Sequence, residues 1–312
     1  MSLGFVFPGQ GSQAVGMLAE LGQAHPEVGQ TFAEAGEALG YDLWQRVQDG
    51  PEEELNRTEV TQPAMLAAGV AVWRVWRAQG GPEPARMAGH SLGEYSALVC
   101  ADSLDFTAAV TLVAERGRLM QEAVPAGTGA MAALLGLDDA AVIDLCDQAA
   151  GDEVVSAVNF NAPGQVVVAG HRDAVARVIA AAKEAGAKRA VELPVSVPSH
   201  CALMAPAREA LAARLAEVEV RAPRIPVLHN ADVAAYSDPA AIRDALARQV
   251  DHPVRWVETV EAMTADGLDR LVEAGPGKVL VGLNKRIARR MPARPVFDPD
   301  SLAEALAEER EA

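Results

Sequence analysis

Cysteine is scarce in this sequence, and the spacings that indicate a metal site are missing. The 312 residues include three cysteines, Cys100, Cys146 and Cys201, which are too few for a disulfide framework in a chain of this length. No Cys-x-x-Cys pair or histidine-rich spacing indicates zinc, so we expect no metal site. The low cysteine content favours a reducing compartment, and we expect a cytoplasmic protein.

Long apolar runs and an excess of positive charge are also missing. No apolar run reaches the roughly 18 residues that a membrane-spanning helix needs, so we expect no membrane segment. The N-terminus lacks a basic region followed by a long apolar stretch, so we expect no signal peptide. The formal net charge of −16 argues against nucleic-acid binding, which needs a basic surface. An acidic protein partner would require a local basic patch.

The composition is that of a globular protein with a sizeable core, because 50% of its residues are hydrophobic and 22% are charged. Between residues 127 and 194 the pattern predicts strands and helices in the order β-α-β-β-α-β, which is typical of a ferredoxin-like unit. We therefore expect a larger domain built from residues 1–126 and 195–312, with residues 127–194 inserted as a small subdomain.

Residues 89–93, Gly-His-Ser-Leu-Gly, follow a short apolar stretch and precede a helix-like run. A strand, G-x-S-x-G and a helix in this order form a nucleophile elbow, whose sharp turn exposes the serine hydroxyl. Glycine stands at both ends because the turn leaves no room for side chains. The amide of Leu92 would then point to where an oxyanion forms. The alternative is an ordinary turn in which Ser91 caps the helix.

Other elements are predicted from turn and capping signals. Asp105 would cap a helix from Phe106 to about Glu122. A helix is expected after Thr61 and Gln62, with Pro63 in its first turn. Further predictions are a strand over 225–229, a helix over 279–290 and a C-terminal helix over 301–312.

Several ordered stretches together resemble one family, the malonyl-CoA:acyl carrier protein transacylases of bacterial fatty acid synthesis. They span nearly the whole chain. The stretches are Phe7-Pro8-Gly9-Gln10-Gly11-Ser12-Gln13, Gly89-His90-Ser91-Leu92-Gly93-Glu94-Tyr95, Glu115-Arg116-Gly117-Arg118, Asn159-Phe160-Asn161-Ala162-Pro163-Gly164-Gln165, Val195-Ser196-Val197-Pro198-Ser199-His200, Gln249-Val250 and Glu273-Ala274-Gly275-Pro276-Gly277-Lys278-Val279-Leu280. The resemblance implies an α/β fold: a hydrolase-like larger domain with a parallel sheet and a nucleophile elbow, plus a ferredoxin-like insert.

The resemblance also implies a reaction, the transfer of a malonyl group from malonyl-CoA to the phosphopantetheine thiol of acyl carrier protein through a serine ester. Ser91 matches the nucleophile and His200 the base. The backbone carbonyl of Gln249 would orient His200, and the backbone amides of Gln10 and Leu92 would form the oxyanion hole. No cofactor is implied, because the coenzyme A thioester is a substrate.

Substrate and carrier recognition follow from the same resemblance. Arg116 matches the residue that binds the free carboxylate, which a guanidinium can hold through two parallel hydrogen bonds. The side chains expected to border the cleft for the pantetheine arm are Asn159, Asn161, Gln165 and Arg189. As a hypothesis from local charge, the carrier protein would dock on a basic patch formed by Lys285, Arg286, Arg289 and Arg290.

Several alternatives stay open. His90 neighbours Ser91 in a strained turn and would point away from it, so we interpret it as a structural or supporting residue. Asp251 is a rival to Gln249 for orienting His200, and the acids between Ser91 and His200, among them Asp102, Asp105 and Glu192, have no motif around them. Rival functions are a polyketide acyltransferase that accepts methylmalonyl, an esterase or thioesterase, and a non-catalytic carrier-binding protein.

Overall fold

The structure is a computed structural model and describes residues 2–195 and 197–311. Its strands are β1 (Leu3–Phe7), β2 (Arg86–Gly89), β3 (Gly129–Leu135), β4 (Val155–Ala162), β5 (Gln165–His171), β6 (Arg189–Glu192), β7 (Val227–Leu228), β8 (Arg270–Ala274) and β9 (Ala293–Val296). Its α-helices are α1 (Ala19–Ala24), α2 (Pro26–Leu39), α3 (Leu43–Asp49), α4 (Glu52–Leu55), α5 (Thr58–Ala78), α6 (Gly93–Cys100), α7 (Phe106–Glu122), α8 (Asp139–Ala150), α9 (Arg172–Glu184), α10 (Ala205–Glu217), α11 (Pro239–Gln249), α12 (Trp256–Ala265), α13 (Val279–Ile287) and α14 (Pro299–Glu311).

The larger sheet is parallel and has the order β7-β2-β1-β8-β9. Helices cover both of its faces, so every residue of the central strand β1 is buried. The few aromatic residues concentrate beside this strand: the ring of Phe5 packs edge-on against Trp73 and Trp76 of α5, each at 5.2 Å between centroids. The parallel sheet predicted from the family resemblance is therefore confirmed.

The carboxyl ends of β1 and β2 lie side by side, because Phe7 pairs with Gly89 in the register of the sheet. The loop after β1 and the turn after β2 are consequently in contact. A side chain at Gly9 would place its Cβ 2.4 Å from the carbonyl oxygen of His90, so this contact requires glycine. The strand order thus places the Gln10 loop against the predicted elbow.

The smaller sheet is antiparallel and has the order β4-β5-β3-β6, which confirms the ferredoxin-like arrangement. Apolar residues of β3, β4, β5, α8 and α9 form a separate core beneath it. Val254 joins this sheet to the larger part of the protein: its N–H donates to Val158 and its carbonyl accepts from Phe160, at 2.8 and 3.0 Å. The boundaries at residues 127 and 194 stay a prediction.

Four boundaries differ from the sequence-based predictions. Helix α5 begins at Thr58, so Pro63 lies inside it rather than in its first turn. The first turn of α5 packs closely against α7, because a Cβ at Gly117 of α7 would lie 2.8 Å from the carbonyl oxygen of Thr58. This contact stabilises the additional turn. Strand β7 has two residues rather than five. Helix α13 ends at Ile287, a few residues before Pro292. Strand β9 was not predicted, and Pro295 within it argues against a strand. The strand forms because it lies at the edge of the sheet, where proline is tolerated.

Helix α7 begins and ends where predicted, and the side chain of Asp105 accepts a hydrogen bond from the amide of Ala108 at 3.0 Å. None of the helices in the described part of the chain combines the length and apolar character that crossing a membrane requires. In residues 2–195 and 197–311, no cluster of histidine, cysteine and carboxylate side chains is arranged to hold a metal ion.

Candidate active site

The turn between β2 and α6 has the geometry of a nucleophile elbow. Ser91 at its tip has φ of 50°, a left-handed conformation that costs a non-glycine residue about 1–3 kcal/mol. A Cβ at Gly89 would lie 1.8 Å from the carbonyl carbon of Gly93, and a Cβ at Gly93 would lie 2.1 Å from the carbonyl oxygen of Phe7. Both glycines are therefore required, and Ser91 does not cap the helix, since Leu92 occupies the N-cap position.

His200 reaches Ser91 from the segment that follows the smaller sheet. Its Nε2 lies 2.8 Å from the Ser91 hydroxyl oxygen, and its Nδ1 lies 2.8 Å from the carbonyl oxygen of Gln249. A carbonyl only accepts hydrogen bonds, so Nδ1 carries the proton and Nε2 is free to accept from the serine hydroxyl. The His200 backbone N–H donates to Val250 at 2.9 Å, which fixes the ring against the end of α11.

Burial of His200 and, to a smaller extent, the nearby positive charge of Arg116 together lower the pKa of its imidazole to about 3. The hydrogen bond to the Gln249 carbonyl acts in the opposite direction. At neutral pH the imidazole is consequently neutral and able to accept a proton, as a general base must be.

Arg116 lies on α7, is 2% exposed and points at the same serine. Its Nη1 donates to Gln62 Oε1 at 2.8 Å, and its Nη2 donates to Gln249 Oε1 at 2.9 Å and to the Ser91 hydroxyl oxygen at 3.4 Å. These acceptors are neutral oxygens, so the guanidinium keeps its charge available for an anion. Arg118 differs: it is exposed and paired with Glu115 and Glu122.

A cavity of about 240 Å³ opens over Ser91, and residues from both the larger part of the protein and the smaller sheet line it. Its lining includes the predicted residues Gln10, Ser91, Leu92, Arg116, Asn159, Asn161, Gln165 and His200. Apolar side chains, among them Met120, Met131 and Leu283, complete the walls. The backbone amides of Gln10 and Leu92 donate no hydrogen bond to any residue in the described part of the chain, which leaves both available to a ligand.

The hairpin of the smaller sheet forms the opposite side of the cavity. Asn161 Oδ1 lies 2.8 Å from His90 Nε2, so His90 supports the hairpin rather than Ser91. Within residues 2–195 and 197–311, Asn159 Oδ1 is buried without a hydrogen-bond partner. Arg286 of α13 donates to Gln165 Oε1 and, at 2.8 Å, to the carbonyl of Pro163.

Arg189 lies outside this cavity: it is exposed on β6 and pairs with Leu135. The other basic residues of the predicted docking patch, Lys285, Arg289 and Arg290, are exposed like Arg286.

The acidic alternatives to the Gln249 carbonyl are engaged elsewhere. Asp251 accepts from Arg208 and contacts His252 Nδ1 at 2.6 Å. The remaining three acids bind partners away from His200: Asp102 binds Arg224, Asp105 caps α7 and Glu192 binds Arg172.

Sequence reasoning missed a second layer of buried polar residues. Asn230 accepts from the Ser91 amide at 2.7 Å and donates to the Gly89 carbonyl at 2.7 Å, which holds the elbow. Gln62 and the side chain of Gln249 hold Arg116. Glu94 binds Gln249 and Asn230. Only Glu94 had a signal, since it lies within the matched elbow stretch.

The comparisons with known proteins agree with this geometry. The family model described as "Acyl transferase domain" matches residues 4–294. The malonyl CoA-acyl carrier protein transacylase of Escherichia coli strain K12 is 60% identical over 302 residues, which cover 97% of this chain and 98% of that protein.

Two solved structures superpose on nearly the whole chain. An acyl carrier protein S-malonyltransferase from Vibrio cholerae is 61% identical, has a TM-score of 0.96 and covers 98% of this chain and 100% of its own. A malonyl-transacylase in complex with its holo type II PKS acyl-carrier protein is 57% identical, has a TM-score of 0.98 and covers 99% and 100%. The chain therefore belongs to the acyl transferases, and within them to the malonyl CoA-acyl carrier protein transacylase family.

Proposed function

We propose that this protein transfers the malonyl group of malonyl-CoA to the phosphopantetheine thiol of acyl carrier protein, in fatty acid biosynthesis, through an ester on Ser91. One observation carries the proposal. A serine on a strained turn, a neutral histidine and a buried arginine meet in one cavity, with the histidine and the arginine 2.8 and 3.4 Å from the serine hydroxyl oxygen. Family membership supports the same activity.

In the first half-reaction, the Ser91 hydroxyl attacks the thioester carbonyl carbon, and His200 Nε2 accepts the serine proton. The backbone amides of Gln10 and Leu92 stabilise the negative charge on the carbonyl oxygen. The carbon–sulfur bond then breaks, and the departing coenzyme A sulfur takes the proton from His200. In the second half-reaction the carrier thiol gives its proton to His200 and attacks the ester, and Ser91 regains a proton as it leaves.

Gln249 supplies a neutral carbonyl where many hydrolases supply a carboxylate. A neutral acceptor stabilises the imidazolium less, which suffices for an activated thioester. Arg116 distinguishes this site from a plain esterase or thioesterase, because it would bind the free carboxylate of the malonyl group. Asn159, Asn161 and Gln165 would contact the pantetheine arm, and Arg189, being outside the cavity, is the weakest member of that set.

The carrier protein would dock on the basic patch of Lys285, Arg286, Arg289 and Arg290, which is exposed on and after α13, the helix that contributes Leu283 to the cavity lining. Arg286 also holds the hairpin, so it would have a structural role besides docking. The carrier of one relative is a type II PKS carrier, so we extend the proposal to carriers of that kind. The three cysteines are free and buried, which supports the predicted cytoplasmic location.

The Arg116→Ala variant tests the substrate assignment. The ratio of kcat/KM for malonyl-CoA to kcat/KM for acetyl-CoA should fall about 100-fold or more, because a buried, charge-assisted hydrogen-bond pair is lost for malonyl alone. Arg118→Ala, two residues along the same helix but exposed, is the control and should keep the wild-type ratio. Equal losses for both donors in Arg116→Ala would contradict the assignment.

A further inference from the structure

Glu94 is a buried carboxylate at the start of α6, with its side chain fully inaccessible to solvent. Three donors converge on its two oxygens. His229 Nδ1 lies 2.7 Å from Oε1, and the Asn230 backbone N–H and Gln249 Nε2 lie 2.9 and 3.0 Å from Oε2. Two of these partners, Asn230 and Gln249, themselves contact Ser91.

The carboxylate determines which way the side-chain amide of Gln249 faces. A carboxylate only accepts hydrogen bonds, so the amide nitrogen of Gln249 must point toward Glu94, where it also donates to the Ser91 carbonyl at 2.9 Å. The amide oxygen is therefore turned toward Arg116 and accepts from its Nη2 at 2.9 Å. A reversed amide would set an NH2 group against the guanidinium, donor against donor.

We infer that Glu94 is a positioning residue for malonyl recognition: through the Gln249 amide it fixes the Arg116 guanidinium beside Ser91. This inference rests on the proposed function, since it assumes that Arg116 binds the malonyl carboxylate. The Glu94 carboxylate does not bond Arg116 directly, because the neutral side-chain amide of Gln249 lies between the two charged groups. A direct ion pair would occupy the guanidinium and compete with the substrate, whereas the amide link leaves it able to bind a second carboxylate.

The same carboxylate also supports the elbow itself. It holds the backbone of Asn230, whose side chain bonds the Ser91 amide and the Gly89 carbonyl, both at 2.7 Å. Burial lowers the pKa of Arg116, and the negative charge of Glu94 opposes that effect. Glu94 therefore contributes both an orientation and a compensating charge to the arginine.

The Glu94→Gln variant keeps the size and shape of the side chain but replaces one acceptor oxygen by an NH2 donor. We expect Gln249 to lose its fixed orientation, so the malonyl-to-acetyl ratio of kcat/KM should fall about tenfold or more. Glu273→Gln is the matched control: Glu273 is equally buried and accepts from the backbone amides of Leu280 and Val281 at 3.0 and 2.7 Å. It should affect both acyl donors alike.

Gln249→Ala keeps the test decisive even where Glu94→Gln fails to fold, because it removes the amide and retains the carbonyl that binds His200. The malonyl-to-acetyl ratio should fall in this variant, and adding Glu94→Gln to it should lower the ratio by much less than Glu94→Gln does alone, because the orienting effect is already lost. A wild-type ratio in Gln249→Ala, or independent multiplicative losses in the double variant, would overturn the inference.

Arg116→Ala, measured in the same assay, separates this inference from the proposed function. If Arg116→Ala leaves the ratio unchanged, the carboxylate assignment itself is wrong and the inference falls with it. If Arg116→Ala lowers the ratio while folded Glu94→Gln keeps it at the wild-type value, only the positioning role of Glu94 is wrong.

Discussion

The two sides of the cavity differ in how firmly their polar groups are held. On the elbow side, Arg116, His200 and Gln249 are at most 3% exposed, and each makes several hydrogen bonds to other buried groups around Ser91. On the hairpin side, Asn161 and Gln165 are half-buried and each bonds one other side chain. Arg116, His200 and Gln249, which are assigned to chemistry, are thus preorganised, while Asn161 and Gln165, assigned to the pantetheine arm, are held by fewer contacts.

Among the groups on the elbow side, His200 should have the largest effect on the rate of acyl transfer when it is removed. His200→Ala should lower kcat at least about 10⁴-fold with malonyl-CoA and with acetyl-CoA alike, because both acyl transfers need the same base. Steady-state kinetics with the two donors provide the measurement. His252→Ala is the control, since His252 is partly exposed and contacts Asp251 rather than Ser91. An Asp251→Asn variant as inactive as His200→Ala would instead favour the rejected carboxylate.

The pH dependence of acetyl transfer should show how the charge of Arg116 affects the protonation of His200. Burial and the Arg116 charge together hold the pKa of His200 at about 3, so the base stays neutral down to acidic pH. Removing the positive charge makes the imidazolium less unfavourable and raises this pKa. In Arg116→Ala, the acid limb of kcat/KM for acetyl-CoA should therefore move to higher pH than in the wild type. An unchanged limb, or one at lower pH, would contradict this coupling.

The smallest expected effect concerns the hairpin side and α13. Lys285→Glu combined with Arg289→Glu should slow transfer to the carrier protein several-fold at low salt, with the difference fading at high salt. Acylation by malonyl-CoA should not change. Arg286 is left intact because it holds Gln165 and Pro163. Lys183→Glu, on the exposed surface of α9, is the control. Equal slowing of both half-reactions would place the docking surface elsewhere.

The sequence was sufficient to predict the elements that depend on local signals. The G-x-S-x-G turn, the Asp105 cap and the β-α-β-β-α-β order each follow from adjacent residues, and the structure contains all three. Strand β9 could not be predicted locally, because its pairing with β8 stabilises a segment that contains Pro295.

The buried polar residues that support the site could not be predicted from the sequence, because they are far apart along the chain. Gln62 and Arg116 are separated by 54 positions, and Glu94 and Asn230 by 136, so no local pattern links them. The two arginines of α7 illustrate the same limit. Arg116 and Arg118 lie on different faces, but only the packed structure places one beside Ser91 and the other in solvent.

The central claim is that Ser91 carries the malonyl group between two thiols. Mass spectrometry of the protein mixed with malonyl-CoA tests it directly, with peptide mapping and Ser91→Ala as the control. A single malonyl adduct on Ser91, absent from Ser91→Ala and discharged by holo acyl carrier protein, is the predicted result. A malonyl adduct on another residue, or transfer to the carrier that persists in Ser91→Ala, would contradict the account.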